Sequence, residues 1–291
     1  MKFQKEITAL SILIILLSVA ASATGIFSSM DSSRHEFTSI YGQTVEIYGA
    51  GLYRNDSVSM ASQAIAQDVV TLLVGVPLLA TSLILLKKRL LKGQILLAGT
   101  LAYFLYTYAS YSFTSMYNNL FLIDVGLMSL SFFSFLLTMM AFDMKVLQNS
   151  FSRQLPVKTV AGYLLFIGTA IGLMWLGKVL PSLTDGAPPA GLDHYTTLVI
   201  QALDLGFVVP VSILSAILLL KRKPFGLLIS SVICVKGLTM LTALTAMIIG
   251  QMIAGVQMTA IEIILFPAFN LIGIVIVVVL LKHIKEPEEI I

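Results

Sequence analysis

The chain has 291 residues, of which 57% are hydrophobic and only 11% charged, with 18 Lys and Arg against 15 Asp and Glu. A soluble domain carries roughly 25% charged and 45–50% apolar residues, so this composition excludes one and describes a polytopic membrane protein. The net charge of +3 reflects basic residues at helix ends and implies no nucleic acid, and the single cysteine, Cys234, excludes an intrachain disulfide, a CxxC redox pair or a cysteine metal cluster.

Apolar runs of about 20 residues, each able to cross a hydrocarbon core of roughly 30 Å as a helix, recur along the chain. They predict an all-α bundle of eight spans, at 7–27, 66–86, 94–112, 120–142, 159–180, 197–220, 225–249 and 258–281. Fourteen of the 18 Lys and Arg residues then fall at one face, in the clusters Lys2/Lys5, Lys87–Lys92, Lys145–Lys158, Lys221–Lys223 and Lys282/Lys285. The opposite face keeps Arg34, Arg54 and Lys178. By the positive-inside rule both termini and the basic loops are cytoplasmic, in a plasma (inner) membrane.

Two readings stand for the first span. Its basic start, short apolar core and Ala21-Ser22-Ala23 suit a secretory signal with a cleavage site, and they also suit a retained first helix. The exported loop that follows, 28–66, is the longest non-membrane segment. Its Thr44–Tyr53 portion alternates weakly and turns at glycines, which suits a hairpin or cap and offers a surface for a protein partner.

The second and sixth spans resemble one another. Asp68, Pro77, Lys87-Lys88 and Gly93 meet Asp204, Pro210, Lys221-Arg222 and Gly226 at offsets of 136, 133, 134 and 133 residues. Continuing the match pairs Tyr103 with Lys236 and Asp124 with Glu262. The chain thus reads as a four-plus-four repeat, residues 1–150 and 151–291, whose halves share an orientation because each holds an even number of spans.

Lys236 stands near the middle of the apolar run Ser230–Met240. A charge at bilayer depth costs about 2.5–3.5 kcal/mol on insertion scales, so such residues pair with one another or line a wet cavity. Asp68, Asp124, Asp204 and Glu262 lie in the outer thirds of their spans and are its candidate counter-charges. Gln201 shares a helix face with Asp204, and Asn270 lies further down the helix of Glu262, beyond Pro267. Tyr103 and Tyr106 fall on one hydroxylated face of the third span. These residues form the candidate ligand site, with the Lys236 amine extending toward Asp204 or Asp68 in an outward-facing polar cavity between the halves.

That set implies binding or transport of a small polar or charged solute, with proton exchange at a carboxylate or at the lysine as the coupling. Two alternatives remain open at this point, a membrane-embedded enzyme using Lys236 with Asp204 and Glu262 on a lipid-borne substrate, and a non-catalytic receptor or assembly partner. The enzyme reading is the weaker, because no HExxH, GxSxG or Walker sequence occurs and neither His35 nor His194 has a ligand at metal spacing. No metal or cofactor is implied.

Overall fold

In a hydrocarbon core every backbone N–H and C=O must be satisfied within its own segment, and the apolar runs accordingly form helices. The computed structural model describes residues 2–28 and 33–286, so residues 29–32 of the loop predicted at 28–66 lie outside it. In chain order the elements are α1 (Gln4–Phe27), the strands β1 (His35–Thr38) and β2 (Thr44–Ile47), α2 (Val58–Lys87), α3 (Leu91–Thr114), α4 (Phe121–Met140), the short α5 (Met144–Ser150), α6 (Val157–Asp185), α7 (Val199–Leu220), α8 (Pro224–Ile253) and α9 (Ala260–Lys282). Among the described residues seven helices, all of these except α3 and α5, are long and apolar enough to cross a membrane. The chain is therefore a multi-pass membrane bundle.

The count differs from the eight predicted because α3 does not reach the apolarity of the others. It is 24 residues long, about 36 Å at 1.5 Å per residue, yet it carries four tyrosines and several hydroxyls. Its position explains the composition. Tyr103, Phe104 and Tyr108 are buried against protein, and a helix shielded from lipid does not need an apolar surface. Together α3 and α8 make the centre of the bundle, each packing on the other and on its sequence neighbours.

Both α2 and α7 contain a five-residue π-helical turn, Thr71–Gly75 and Asp204–Val208, placed directly before Val76-Pro77 and Val209-Pro210. Proline brings no N–H and crowds the preceding turn, so the helix widens ahead of it, and the N–H groups of Val76 and Val209 reach back to the carbonyls of Thr71 and Asp204. Both helices end alike. Arg89 and Arg222 adopt left-handed φ of 59° and 48°. Gly93 and Gly226 then pack on the preceding turn, at Leu85-Leu86 and Leu218-Leu219, where no Cβ fits.

At the end of the bundle that carries these arginines, the basic end, Glu286 closes the fold. Its carboxylate accepts from the N–H groups of Leu91 (2.6 Å) and Lys92 (3.4 Å), capping α3, which has no side-chain cap of its own. The opposite, capped end carries the hairpin. β1 pairs antiparallel with β2 from His35↔Ile47 to Thr38↔Thr44, so the segment predicted to turn within Thr44–Tyr53 instead supplies one strand to a partner upstream.

Candidate functional site

The site begins where α3 and α8 cross. A Cβ on Gly99 would run into the side chain of Val235 and lie 3.1 Å from the carbonyl of Val232, so only glycine lets the two backbones come this close. One residue past Val235, Lys236 is buried with 6% of its surface exposed. Its Nζ lies 3.9 Å from the ring centroid of Tyr106 on α3. The Tyr106 hydroxyl donates to Asp204 Oδ1 (2.7 Å), and Trp175 Nε1 of α6 donates to Asp204 Oδ2 (2.8 Å). Four helices thus meet through one chain of side chains, Lys236–Tyr106–Asp204–Trp175. Asp204 owes its place to the π turn, of which it is the first residue.

This arrangement departs from the pairing expected of the lysine. Among the described residues the one ion pair within 4.0 Å is Arg34–Glu46, at 3.7 Å on the surface. The Tyr106 ring contacts both groups, the amine on its face and the carboxylate through its hydroxyl. The negative face of an aromatic ring attracts a cation, worth about 2 kcal/mol when desolvated, and the hydroxyl on its edge passes the interaction on to Asp204. Both Asp204 oxygens therefore have a donor, and the amine lies over the ring with Asp204 as its Coulombic partner.

The remaining candidates divide among separate clusters. Asp68 is buried and accepts from Tyr53 (2.6 Å) and Tyr111 (3.2 Å). Its carboxylate lies against Gly25 of α1, where a Cβ would overlap it. Tyr103, the residue matched to Lys236, is fully buried. Its hydroxyl lies 2.6 Å from Gln67 Nε2 and 3.0 Å from Thr71 Oγ1, and Gln67 also donates to Thr107 (3.1 Å). Asp124 is buried in the first turn of α4, and Gln201 is buried one turn before Asp204.

Glu262 serves the end of its helix. It forms a capping box with Thr259, so it does not converge on Lys236. Asn270 accepts from Thr242 (3.2 Å) and ties α9 to α8. Among residues that were not singled out in the sequence, Trp175, Tyr53, Gln67 and Gly25 hold these clusters together. None has a sequence signal, because their partners lie on other helices.

The capped end is knotted at another carboxylate. Asp56 Oδ1 accepts from the N–H of Met116 (3.0 Å) and from the hydroxyl of Tyr195 (2.9 Å), and Tyr195 in turn accepts from Ser57 N–H (3.2 Å). His194 contacts the Asn55 carbonyl (2.9 Å), and Arg34 donates to the Ala254 carbonyl (3.1 Å). Segments before α2, after α3, before α7 and after α8 are joined here. Burial pushes the Asp56 carboxyl up from 3.8 to about 6, against the lowering effects of the Met116 and Tyr195 hydrogen bonds and of His194.

No family model, curated protein or solved structure matches the chain.

Proposed function

We propose that the protein binds or transports a small polar or charged solute at the Lys236–Tyr106–Asp204–Trp175 site. The observation that carries this reading is the buried amine, which has a ring face on one side and no carboxylate within 4.0 Å. A charge kept in so costly an environment without a direct counter-ion is poorly explained by helix packing alone. Coupling to a proton at Asp204 or Lys236 fits the same geometry.

The setting is an eight-pass protein of the plasma (inner) membrane with cytoplasmic termini, built from two similar halves. Two observations support it. The Met116–Asp56 hydrogen bond ties the far end of α3 to the capped end, while its start is at the basic end, so α3 runs the length of the bundle. The π turns, the Val-Pro pairs, the left-handed arginines and the close-packed glycines of α2–α3 and α7–α8 all recur at an offset of 133 residues. In that register Gly99 matches Val232, so equivalent positions meet at the central crossing, as a pseudo-twofold axis requires.

Thermal-shift screening of organic acids, amines, amino acids and sugars, followed by uptake into proteoliposomes, tests the reading. A solute that stabilises the protein and is taken up should lose both effects in Lys236→Met. Uptake unchanged in that variant removes the lysine from the mechanism.

One observation favours a second reading, a partner protein at the hairpin. Phe37, Ile40 and Tyr41 are exposed around its turn, Ile40 by 85%, and β1 buries none of its residues. Cross-linking in native membranes should then capture one partner that is lost in Ile40→Asp. An identical cross-linking pattern in the variant would dismiss it.

A further inference from the structure

We infer that the basic end of the bundle seats an anionic phospholipid, its phosphate among Lys5, Lys87 and Arg89 and its acyl chain along the first turns of α1. This site is separate from Lys236. A groove of about 760 Å³ opens between the start of α1 and the end of α2, with Lys5, Glu6, Thr8 and Lys87 in its lining. A smaller recess of about 270 Å³, which holds Arg89 and Gln94, shares Gln4 with the groove as a wall. The larger volume falls within the roughly 300–1,000 Å³ of small-molecule sites.

Local structure concentrates positive charge here. Helix α1 begins directly after Phe3, whose left-handed φ of 57° turns the chain into it, and no side chain caps this end. The first-turn N–H groups of Gln4, Lys5 and Glu6 therefore lack intrahelical acceptors, and the helix dipole adds partial positive charge at the groove. From the other side the last turn of α2 brings Lys87, and the left-handed turn after it brings Arg89. Among the described residues none of these three cations has a carboxylate within 4.0 Å.

Glu6 is the one acid that lines either space. Among the described residues the other carboxylates at this end, Asp143 and Glu286, accept from the backbone N–H groups of Lys145, Val146, Leu91 and Lys92. Gln94 adds an unmet donor, because its Nε2 is buried without a hydrogen-bond partner. Three cations against one carboxylate, with free N–H donors beside them, are the complement of a phosphate.

The apolar walls decide between a lipid phosphate and a free one. Lys5, Thr8, Ala9 and Ile12 recur at i, i+3, i+4 and i+7, so they share a face of α1, and all four line the groove. At 1.5 Å per residue Ile12 lies about 10 Å deeper than Lys5. The groove thus descends from interfacial charge to hydrocarbon, as a headgroup and its chain do, whereas a free phosphate would leave the lower wall unused. Under the orientation proposed above this end meets the cytoplasmic leaflet, whose anionic lipids are drawn to basic pockets between helices.

Thermal-shift titration of the delipidated full chain in detergent, with phosphatidylglycerol, phosphatidylcholine and inorganic phosphate, tests the site. Affinities follow from the rise in melting temperature with ligand concentration. Phosphatidylglycerol should bind at least tenfold more tightly than the other two. The triple variant Lys5→Gln, Lys87→Gln, Arg89→Gln should weaken it tenfold or more. The triple variant Lys145→Gln, Arg153→Gln, Lys158→Gln removes the same charge elsewhere on this end and should leave it within twofold. Ala9→Trp fills the groove without changing charge and should weaken it tenfold. All seven positions are exposed, so the variants keep the fold.

Equal losses in the two triple variants overturn the groove, because the attraction would then belong to the whole basic end. Phosphatidylcholine binding as tightly overturns the anionic headgroup, and inorganic phosphate binding as tightly overturns the lipid. An unaltered affinity in Ala9→Trp removes the chain from the groove. No saturable response to phosphatidylglycerol overturns the inference altogether.

Discussion

Tyr106 performs two separable tasks, presenting its ring to the Lys236 amine and its hydroxyl to Asp204. Tyr106→Phe keeps the ring and removes one of the two donors on Asp204, a charge-assisted hydrogen bond worth about 1.5–3 kcal/mol. Tyr106→Leu also removes the ring, a further loss of about 2 kcal/mol for a desolvated cation. Thermal unfolding in detergent should therefore rank wild type above Phe and Phe above Leu; equal melting of the two variants would mean that the ring does nothing for the amine. Lys236, Tyr106 and Asp204 were each legible in the sequence, because a charge or a hydroxylated face in an apolar run violates the surrounding pattern. Their order in space was not. A ring that contacts the amine on its face and the carboxylate through its hydroxyl, and a tryptophan 29 residues from its acceptor, leave no periodic trace.

Among the elements, the two π turns refine the internal match. Aligning acid with acid pairs Asp68 with Asp204 at 136 residues, whereas the wide turns begin at Thr71 and Asp204, 133 apart. Proline fixes that register, because the backbone must widen at a set distance ahead of it. The matched positions then carry different chemistry. Thr71 meets Tyr103 in a neutral hydrogen bond, while their counterparts, the acid Asp204 and the amine Lys236, are linked through Tyr106.

The cap is an element with its own pH dependence. In the closed form Asp56 has a pKa of about 6, above its usual 3.8, so the closed cap holds the proton more tightly than the opened loop. Closure is therefore strongest below about pH 4, weakens as pH rises toward 6 and carries the full cost above that, about 3 kcal/mol for a displacement of this size. Hydrogen exchange at the Tyr48 and Asp56 amides, which bond within the cap, should show greater protection at pH 5 than at pH 8 after correction for intrinsic rates. Asp56→Asn, which keeps the acceptor and cannot ionise, should remove the difference.

For the whole molecule, the apolar runs and the basic clusters were enough to read a multi-pass helical bundle, since both follow from transfer energies that act residue by residue. The hydropathy of α3 is the exception, because its tyrosines answer to neighbours in the bundle and not to lipid. Its passage from end to end is instead marked by the two carboxylates that hold its ends, Glu286 at Leu91 and Asp56 at Met116. Cysteine labelling tests the resulting topology on a quiet background, as Cys234 is buried with 2% exposure. Gln43→Cys in the hairpin turn and Tyr117→Cys after α3, where the native tyrosine is 77% exposed, should both react with a membrane-impermeant maleimide on intact cells. Lys88→Cys, between α2 and α3, should react only after permeabilisation. If α3 did not cross, Tyr117→Cys and Lys88→Cys would label from the same side, and the Asp56–Met116 bond would have to join opposite faces of the membrane. If the orientation were inverted, all three would exchange behaviour.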